Sequence, residues 1–497
     1  MLAASYFSVS RSDLRNLTIG IVAIVFLRRL YLSVYNVFFH PLANYPGPWV
    51  YAASDIPSVI LKLSGTVPQT YLTLHEKYGT VVRVGVNELS YIAPKAWDDI
   101  YGQRSGRGQM EQAGVMASSE PFGAKSMLAA SSEDHRRHRR LVSHAFSDKA
   151  LREQEHLIRK YVDLLMCRLK EQAEAPGPVD MVRWFSYLTF DIISDLTYGE
   201  SFHCLAESRY HPWVTMTFET LKAHTFRNVA KSFGFSRLIS LFTPKAVKET
   251  GKAYVNFAIA STKRRLQTET QRPDFITYIL RHQDRDTAMS TSEIQANSYL
   301  FILGGSETTS TAMCGVTYYL SRHPAILAKL VHEIRMAFPL ESDIDFHAVS
   351  QLPYFRAVLN ESLRMYPPSP VNRTRKVPVG GARIDGRFVP EDTIVGVAQF
   401  AAYRSSRNFK EADLFMPERW MGDPKFSSDQ RDVLQPFSVG PRNCIGKNLA
   451  LMEMRLVLAR LLHGFELGEC LDVEWSKQKA YMVWEKPPLP VNLSLRS

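Results

Sequence analysis

The sequence predicts a mainly α fold with small β-sheets, built as one large domain behind an N-terminal membrane anchor helix. Three observations lead there. Helical periodicity dominates from about residue 132 to 340 and returns over about 447 to 463. Strand signals are short and confined to residues 81–93 and 379–398. Few composition shifts along the 497 residues look like linkers, so one large domain is favoured over the roughly three that length alone suggests. The anchor takes residues 1–39 and the large domain residues 40–497.

Composition narrows the function classes. The chain is 45% hydrophobic and 22% charged, enough apolar mass for a large core. With 26 glycines and 27 prolines it is neither collagen-like nor broadly disordered. Five cysteines exclude a disulfide scaffold, and the odd number leaves one thiol needing another explanation. Lys and Arg exceed Asp and Glu by 11, a balance that suits an anionic partner such as a membrane surface, a nucleic acid or an acidic protein.

The first apolar run, Leu17 to Leu27, is shorter than the ~20 residues a spanning helix needs. Arg28 and Arg29 interrupt it before a second stretch, Leu30 to Phe39. Read as one helix with snorkelling arginines, Leu14 to Phe39 reaches across or lies in a bilayer. No clean small-x-small cleavage site follows, which argues against a removed signal peptide. Basic residues flank both ends, so charge sets no orientation. The prolines and glycine of His40 to Pro48 then end the helix as a stiff turn.

A helical pattern runs to about Tyr78, followed by strands at Val81–Val86 and Leu89–Ala93. Residues 101–127, rich in Gly, Ser, Gln and Met, read as a long loop, functional or mobile. The helical region breaks at Ala175–Pro178, Thr243-Pro244 and Arg272-Pro273. Asp385-Gly386 suits a type I′ hairpin turn. Residues 403–443 are irregular.

The chemistry concentrates in Phe437-Ser-Val-Gly440-Pro-Arg442-Asn-Cys444-Ile-Gly446. One cysteine sits in a glycine-bearing loop just before a helix, whose N-terminal N–H groups favour an anionic sulfur. The glycines allow backbone to approach a flat ligand, and Arg442 can neutralise an acid group on it. Zinc spacing is absent. A merely structural cysteine leaves Phe437, Gly440, Gly446 and Arg442 without a reason.

This segment resembles the haem-binding signature of the cytochromes P450. Three further motifs stand in that family's order: Gly304-Gly305-Ser306-Glu307-Thr308-Thr309, Glu361-Ser-Leu-Arg364 and Pro417-Glu-Arg419-Trp420. Each is weak alone; together they are specific, and the resemblance covers nearly the whole chain from Pro41. It implies the haem-thiolate fold, haem b (iron protoporphyrin IX) as cofactor and Cys444 as the axial iron ligand. It implies that Glu361, Arg364 and Arg419 form a buried network supporting the haem loop, where arginine's planar fork is needed. A bland surface pair would be worth under ~1 kcal/mol.

Gly304–Thr309 lies inside a helix that begins with the capping box Ser290-x-x-Glu293 and runs to about Arg322. Two glycines and two threonines are poor interior choices, which points to function or to a tight contact. The resemblance implies a groove at the oxygen site, with Thr308 hydrogen-bonding dioxygen or its water and Glu307 feeding protons from solvent. Packing and back-bonding to helix carbonyls is the plainer alternative.

The run His135-Arg-Arg-His-Arg-Arg140 lies on an amphipathic helix. In the family a Trp and an Arg four residues on reach a haem carboxylate. Here His135 replaces the Trp and Arg139 follows at i+4. The remaining arginines are expected to dock an acidic reductase. Arg375 is a third carboxylate partner, with Arg373 its rival on the same side of an extended strand. No dinucleotide fingerprint is present, so electrons must come from a separate NADPH-dependent reductase.

The implied activity is a membrane-anchored monooxygenase that inserts one oxygen atom of dioxygen into a hydrophobic small molecule. The implied location is the endoplasmic reticulum, with the catalytic domain facing the cytosol and no nucleic acid as partner. The His40–Pro48 entry and the Tyr481–Pro488 ending look like fungal members acting on secondary metabolites, which favours a terpenoid, alkaloid or polyketide. Substrate-facing segments would be 101–127, about 203–250, Ser369–Asn372 and Gln478–Met482. Two rivals remain at this level. A haem-thiolate isomerase or dehydratase would form product without a reductase. A basic membrane or nucleic-acid adaptor would bind no haem and would show strong salt dependence.

Overall fold

The computed structural model describes residues 11–103, 109–113, 122–215, 225–226, 229, 245–281, 288–470 and 472–496. It opens with helix α1, Arg11–Phe38, of 28 residues with none buried. At 1.5 Å per residue this helix is about 42 Å long, and it is long and apolar enough to cross a membrane. Arg28 and Arg29 do not break it. The turn that follows docks at once on the body: the Arg83 amide donates to the Pro46 carbonyl at 2.7 Å.

Seven short strands supply most of the β structure. β1 (Val81–Gly85) and β2 (Glu88–Tyr91) form the expected hairpin. Residues Glu111–Gln112 form β3, so the segment read as wholly irregular contributes a short strand. β4 is Arg375–Lys376, β5 Ala382–Ile384, β6 Arg387–Val389 and β7 Ile394–Val397. Asp385 and Gly386 join β5 to β6 with φ of 48° and 77°, the left-handed pair a type I′ turn demands. The main sheet runs β1-β2-β7-β4-β3, with β2 and β7 parallel. A two-residue strand is held by so few ladder bonds that only its neighbours define it, which is why β3 and β4 leave little trace in sequence.

The helices carry the mass. Those that build the site are α2 (Ser132–Ser143), α4 (Met181–Tyr198), α5 (Thr291–Arg322), α6 (Pro353–Met365) and α7 (Lys447–Gly464), with α3 (Asp148–Glu174) packed against α4 and α7. α5 starts at the predicted capping box, with Ser290 and Glu293 each satisfying the other's backbone amide. All of α4 except Arg183 is buried, and it packs along α5. One large apolar core joins these helices, and a second lies under the sheet. A cavity is walled by α5 and α7 and bordered by Arg375 of β4.

Candidate active site

Cys444 stands at the end of a tight loop immediately before α7, whose N-cap is Gly446. The loop is pinned by the Cys444 amide on the Phe437 carbonyl, 2.8 Å, and by Asn443 on Gly440, 3.0 Å. Gly440 has φ +73°, and a Cβ there would lie 2.0 Å from the Tyr101 carbonyl oxygen. Its glycine therefore serves the loop's contact with the neighbouring backbone, a reason beyond the expected approach of a flat ligand. Gly446 fits that expectation better, since a Cβ there meets nothing closer than Phe146 at 3.9 Å. Phe437, Arg442, Cys444 and Gly446 all line the cavity. Burial pushes the Cys444 thiol up, while Arg373, the Gly446 amide, Arg139 and Lys447 pull it down. The helix terminus alone does not make this sulfur a thiolate; a cation bound to it would.

A rim of positive charge surrounds the same cavity. His135, Arg139, Arg373, Arg375 and Arg442 line it. Burial, then Arg442 and Arg139, press His135 down to about 3, so it is neutral in this setting. Burial also lowers Arg375 to about 10. Arg375 is 4% exposed and stacks over Tyr101 at 5.2 Å, whereas its rival Arg373 is exposed. Arg442 donates through Nη2 to the Ala130 carbonyl at 2.9 Å and pairs with Glu111 at 3.6 Å, but its buried Nε and Nη1 have no partner among the described residues. Arg139 has a contact that was not expected. Its guanidinium is clamped on Asn443, to the backbone oxygen and to Oδ1, both at 2.6 Å, so it braces the cysteine loop. Arg137 departs from expectation: it ties α2 to Glu293 at the start of α5 and is not free to dock a partner. Of the basic run, Arg136 and Arg140 are the exposed arginines.

The predicted three-residue network is present and larger than expected. Glu361, Arg364 and Arg419 are all 0% exposed. Glu361 accepts from Arg364 at 2.8 Å through both oxygens and from Arg419 at 3.0 Å. It also accepts from the Met416 amide at 2.8 Å and the Trp420 indole at 2.9 Å. Arg364 in turn gathers the carbonyls of Tyr403, Ala412 and Leu414, and Arg419 reaches Asp429. This arrangement holds the irregular segment before the cysteine loop in one conformation. Sequence reading missed Asp429, because a lone Asp in an irregular run carries no periodic signal.

On α5, Gly304, Gly305, Thr308, Thr309 and Ala312 line the cavity, the i, i+4 spacing of one helix face. The helix is continuous through them. The Thr308 hydroxyl donates to the Gly304 carbonyl at 2.6 Å. Gly305 is a packing residue: a Cβ there would lie 2.6 Å from Ile193 Cδ1 on α4, whereas Gly304 faces open space. Glu307 is not part of the lining. It is 2% exposed and forms an ion pair with Lys486, itself 3% exposed. Lys486 also donates to Thr311 at 2.6 Å, and Glu307 Oε2 has no partner among the described residues. The carboxylate expected to feed protons from solvent is therefore held by its own counter-ion.

Of the substrate-facing segments, Ser369 reaches the cavity together with Pro367 and Pro368, and Gln112 and Met127 reach it from the 101–127 stretch. Residues 104–108, 114–121 and most of 216–244 lie outside the described residues. Gln478–Met482 does not line the cavity; Gln478 instead accepts from Tyr366 at 2.7 Å.

A sulfur ligand at the end of a loop, an apolar wall and buried guanidinium nitrogens without partners fit a flat iron macrocycle bearing two carboxylates. The unpaired Arg442 nitrogens are the specific observation. A profile of the family "Cytochrome P450" matches residues 46–492. A cytochrome P450 monooxygenase of Talaromyces wortmannii (astA) is 43% identical over 481 residues, covering 96% of this chain and 97% of that one. An averantin hydroxylase of Dothistroma septosporum is 40% identical, covering 93% and 88%. A trichothecene C-15 hydroxylase of Fusarium sporotrichioides is 40% identical, covering 93% and 94%. The chain belongs to the cytochrome P450 family, among monooxygenases of fungal secondary metabolism.

Proposed function

We propose that this chain hydroxylates a hydrophobic secondary metabolite, a terpenoid, alkaloid or polyketide, with electrons from a separate NADPH-dependent reductase. Haem b, when bound, supplies activation of dioxygen and transfer of one oxygen atom, the other leaving as water. Cys444 Sγ holds the iron. Arg442, through its unpaired Nε and Nη1, and Arg375 take the carboxylates, with His135 as a further hydrogen-bond partner. Arg139 keeps Asn443 and hence the cysteine loop in place. Thr308 presents its hydroxyl to the cavity, and the Glu361–Arg364–Arg419 network keeps the loop rigid. The apolar wall from Ile193, Leu300, Phe301 and Leu363 excludes water and suits an apolar substrate.

Glu307 stands beside Thr308 in the chain and one turn from Thr311, where Lys486 holds its carboxylate. Proton delivery to the Thr308 hydroxyl then passes through this pair. Residues 1–39 anchor the enzyme in the endoplasmic reticulum membrane, and residues 40–497 face the cytosol. The basic residues Arg136 and Arg140 meet the reductase. The observation that carries the reading is Cys444 in a cavity rimmed by arginines, one of which, Arg442, keeps two buried nitrogens without a partner among the described residues. The test is spectroscopic: the purified protein shows the ferrous–CO band of a thiolate ligand, and Cys444→Ala loses it. An unaltered band in the variant would refute the assignment.

A further inference from the structure

Four arginines line the cavity among the described residues, and one of them is uncommitted. Arg139 is tied to Asn443. Arg442 has Ala130 and Glu111. Arg375 donates to the Thr374 carbonyl at 3.2 Å and lies over the Tyr101 ring. Arg373 is exposed, and its guanidinium makes no hydrogen bond or ion pair among the described residues. Its main chain, by contrast, is fixed. The Arg373 carbonyl accepts from the Tyr101 hydroxyl at 2.7 Å, and that hydroxyl accepts in turn from the Val397 amide of β7 at 3.0 Å. A free guanidinium thus hangs from an anchored backbone on the cavity wall. Its charge is the largest of those that pull the Cys444 thiol down, so it acts on the interior of the cavity.

The described lining holds nothing that balances this charge. Its one acid is Glu453, in the second turn of α7, which is 2% exposed and whose Oε2 has no partner among the described residues. Burial pushes the Glu453 carboxyl up to about 8, so it is mainly protonated at neutral pH. A macrocycle with two carboxylates matches two guanidinium groups, and Arg442 and Arg375 are assigned to it above. Arg373 is left over. Its cavity also presents Ile193, Leu300, Phe301 and Leu363. A wholly apolar ligand filling that space displaces water from the guanidinium and returns no hydrogen bond, which is unfavourable. A carboxylate returns two, because its oxygens match the planar fork with charge-assisted bonds. In a site shielded from water this pairing is stronger than at a surface.

We propose that Arg373 is a substrate-binding residue and that the substrate is a hydrophobic acid whose carboxylate it takes. The acid end lies at Arg373, and the apolar body lies against the α5 face that carries Gly304 and Thr308. The carboxylate then fixes how far the body reaches, so the oxidised carbon is selected by its distance from the acid group. This narrows the substrate from any apolar metabolite to one that bears a carboxylate. The inference rests on the haem monooxygenase reading above, which gives Arg442 and Arg375 to the cofactor and leaves Arg373 to the substrate.

The test uses the full-length holoenzyme and two acids of different shape, dodecanoate and abietate, each against its own methyl ester. Binding is read by equilibrium dialysis and by the shift in haem absorption, at a pH where both acids are ionised. The parent should bind at least one acid about tenfold or more tighter than its ester, the worth of a charge-assisted pair. That preference should shrink as salt is added. Arg373→Gln should keep its haem and the parent's affinity for the ester while losing the preference for the acid, and Arg373→Lys should keep part of it. Equal affinity for acid and ester in the parent, no binding of either acid, or an undiminished preference in Arg373→Gln would overturn the proposal. Loss of haem from Arg373→Gln would place the side chain on the macrocycle's carboxylates and overturn it as well. A parent without any ferrous–CO band would instead remove the underlying monooxygenase reading, and this inference with it.

Discussion

Glu361 and Glu307 are both buried glutamates on helices that wall one cavity, yet they are built in opposite ways. Glu361 meets two guanidinium groups, an indole and a backbone amide. Glu307 meets Lys486 and Thr311 through one oxygen and leaves the other bare. A saturated carboxylate has no lower-energy place to go, so it fixes the chain around it. An under-satisfied one retains the freedom to exchange partners. The contrast separates scaffold from chemistry more sharply than sequence motif does, since both residues belong to motifs of the same family.

The largest effect expected from this contrast is on the scaffold. Glu361→Gln keeps the shape but leaves Arg364 and Arg419 buried around a neutral group, and breaking such pairs costs about 3–5 kcal/mol. The variant should express with little bound haem and a strongly lowered Tm. Normal haem content with an unchanged Tm would mean the network is dispensable.

Lys486→Met comes next. It removes the cation from a pair that is about as deeply buried, but around a carboxylate with one bare oxygen and a neighbouring threonine to turn to. The Tm should fall by less than in Glu361→Gln, with haem retained. Coupling of NADPH to product should change, because the carboxylate beside Thr308 is released. Full coupling in this variant would detach Glu307 from proton delivery.

The same contrast predicts a pH dependence at Glu453. Its carboxyl titrates at about 8 in the fold against 4.5 ordinarily. The folded state therefore binds the extra proton between these values, and its stabilising contribution is complete below about pH 4.5 and lost as pH rises through 8. Glu453→Gln carries no such group. Its stability relative to the parent should rise between about pH 5 and about pH 8, by up to ~1.4 kcal/mol per pH unit. Parallel denaturation curves for the two proteins at both ends of that range would show that the carboxyl is already ionised or already paired.

What sequence could and could not disclose follows the same division between local and distant. The cysteine loop, the Ser290–Glu293 capping box and the Asp385-Gly386 turn were legible because each is made by residues within a few positions of one another. The basic run was legible as a helix face, but not its partners: Arg139 on Asn443 and Arg137 on Glu293 depend on elements more than a hundred residues away. Lys486 was invisible as the counter-ion of Glu307 for that reason. Gly440 was legible as a required glycine, but one of its causes was not, because the backbone of Tyr101 that excludes a side chain comes from another part of the chain.

The adjacent glycines of α5 offer the smallest and cleanest comparison, because they share sequence context and differ only in what they face. A Cβ at Gly305 would press on Ile193 at 2.6 Å to Cδ1 and 2.9 Å to Cγ1, while one at Gly304 meets nothing within 4 Å. Alanine gains about 1 kcal/mol of helix propensity over glycine at either site, so that contribution cancels between them. What remains is overpacking against α4, and Gly305→Ala should be less stable than Gly304→Ala by about 1–3 kcal/mol. The optical effects should run the other way. The Gly304→Ala methyl enters the cavity and should alter the haem absorption spectrum or substrate-induced spectral shifts, with the protein as stable as the parent or more so. The Gly305→Ala methyl is absorbed by Ile193 and should leave the spectrum close to the parent's. If both variants lost stability equally and left the spectra alone, the pair would be packing glycines alike, and the open face assigned to Gly304 would have no part in shaping the oxygen site.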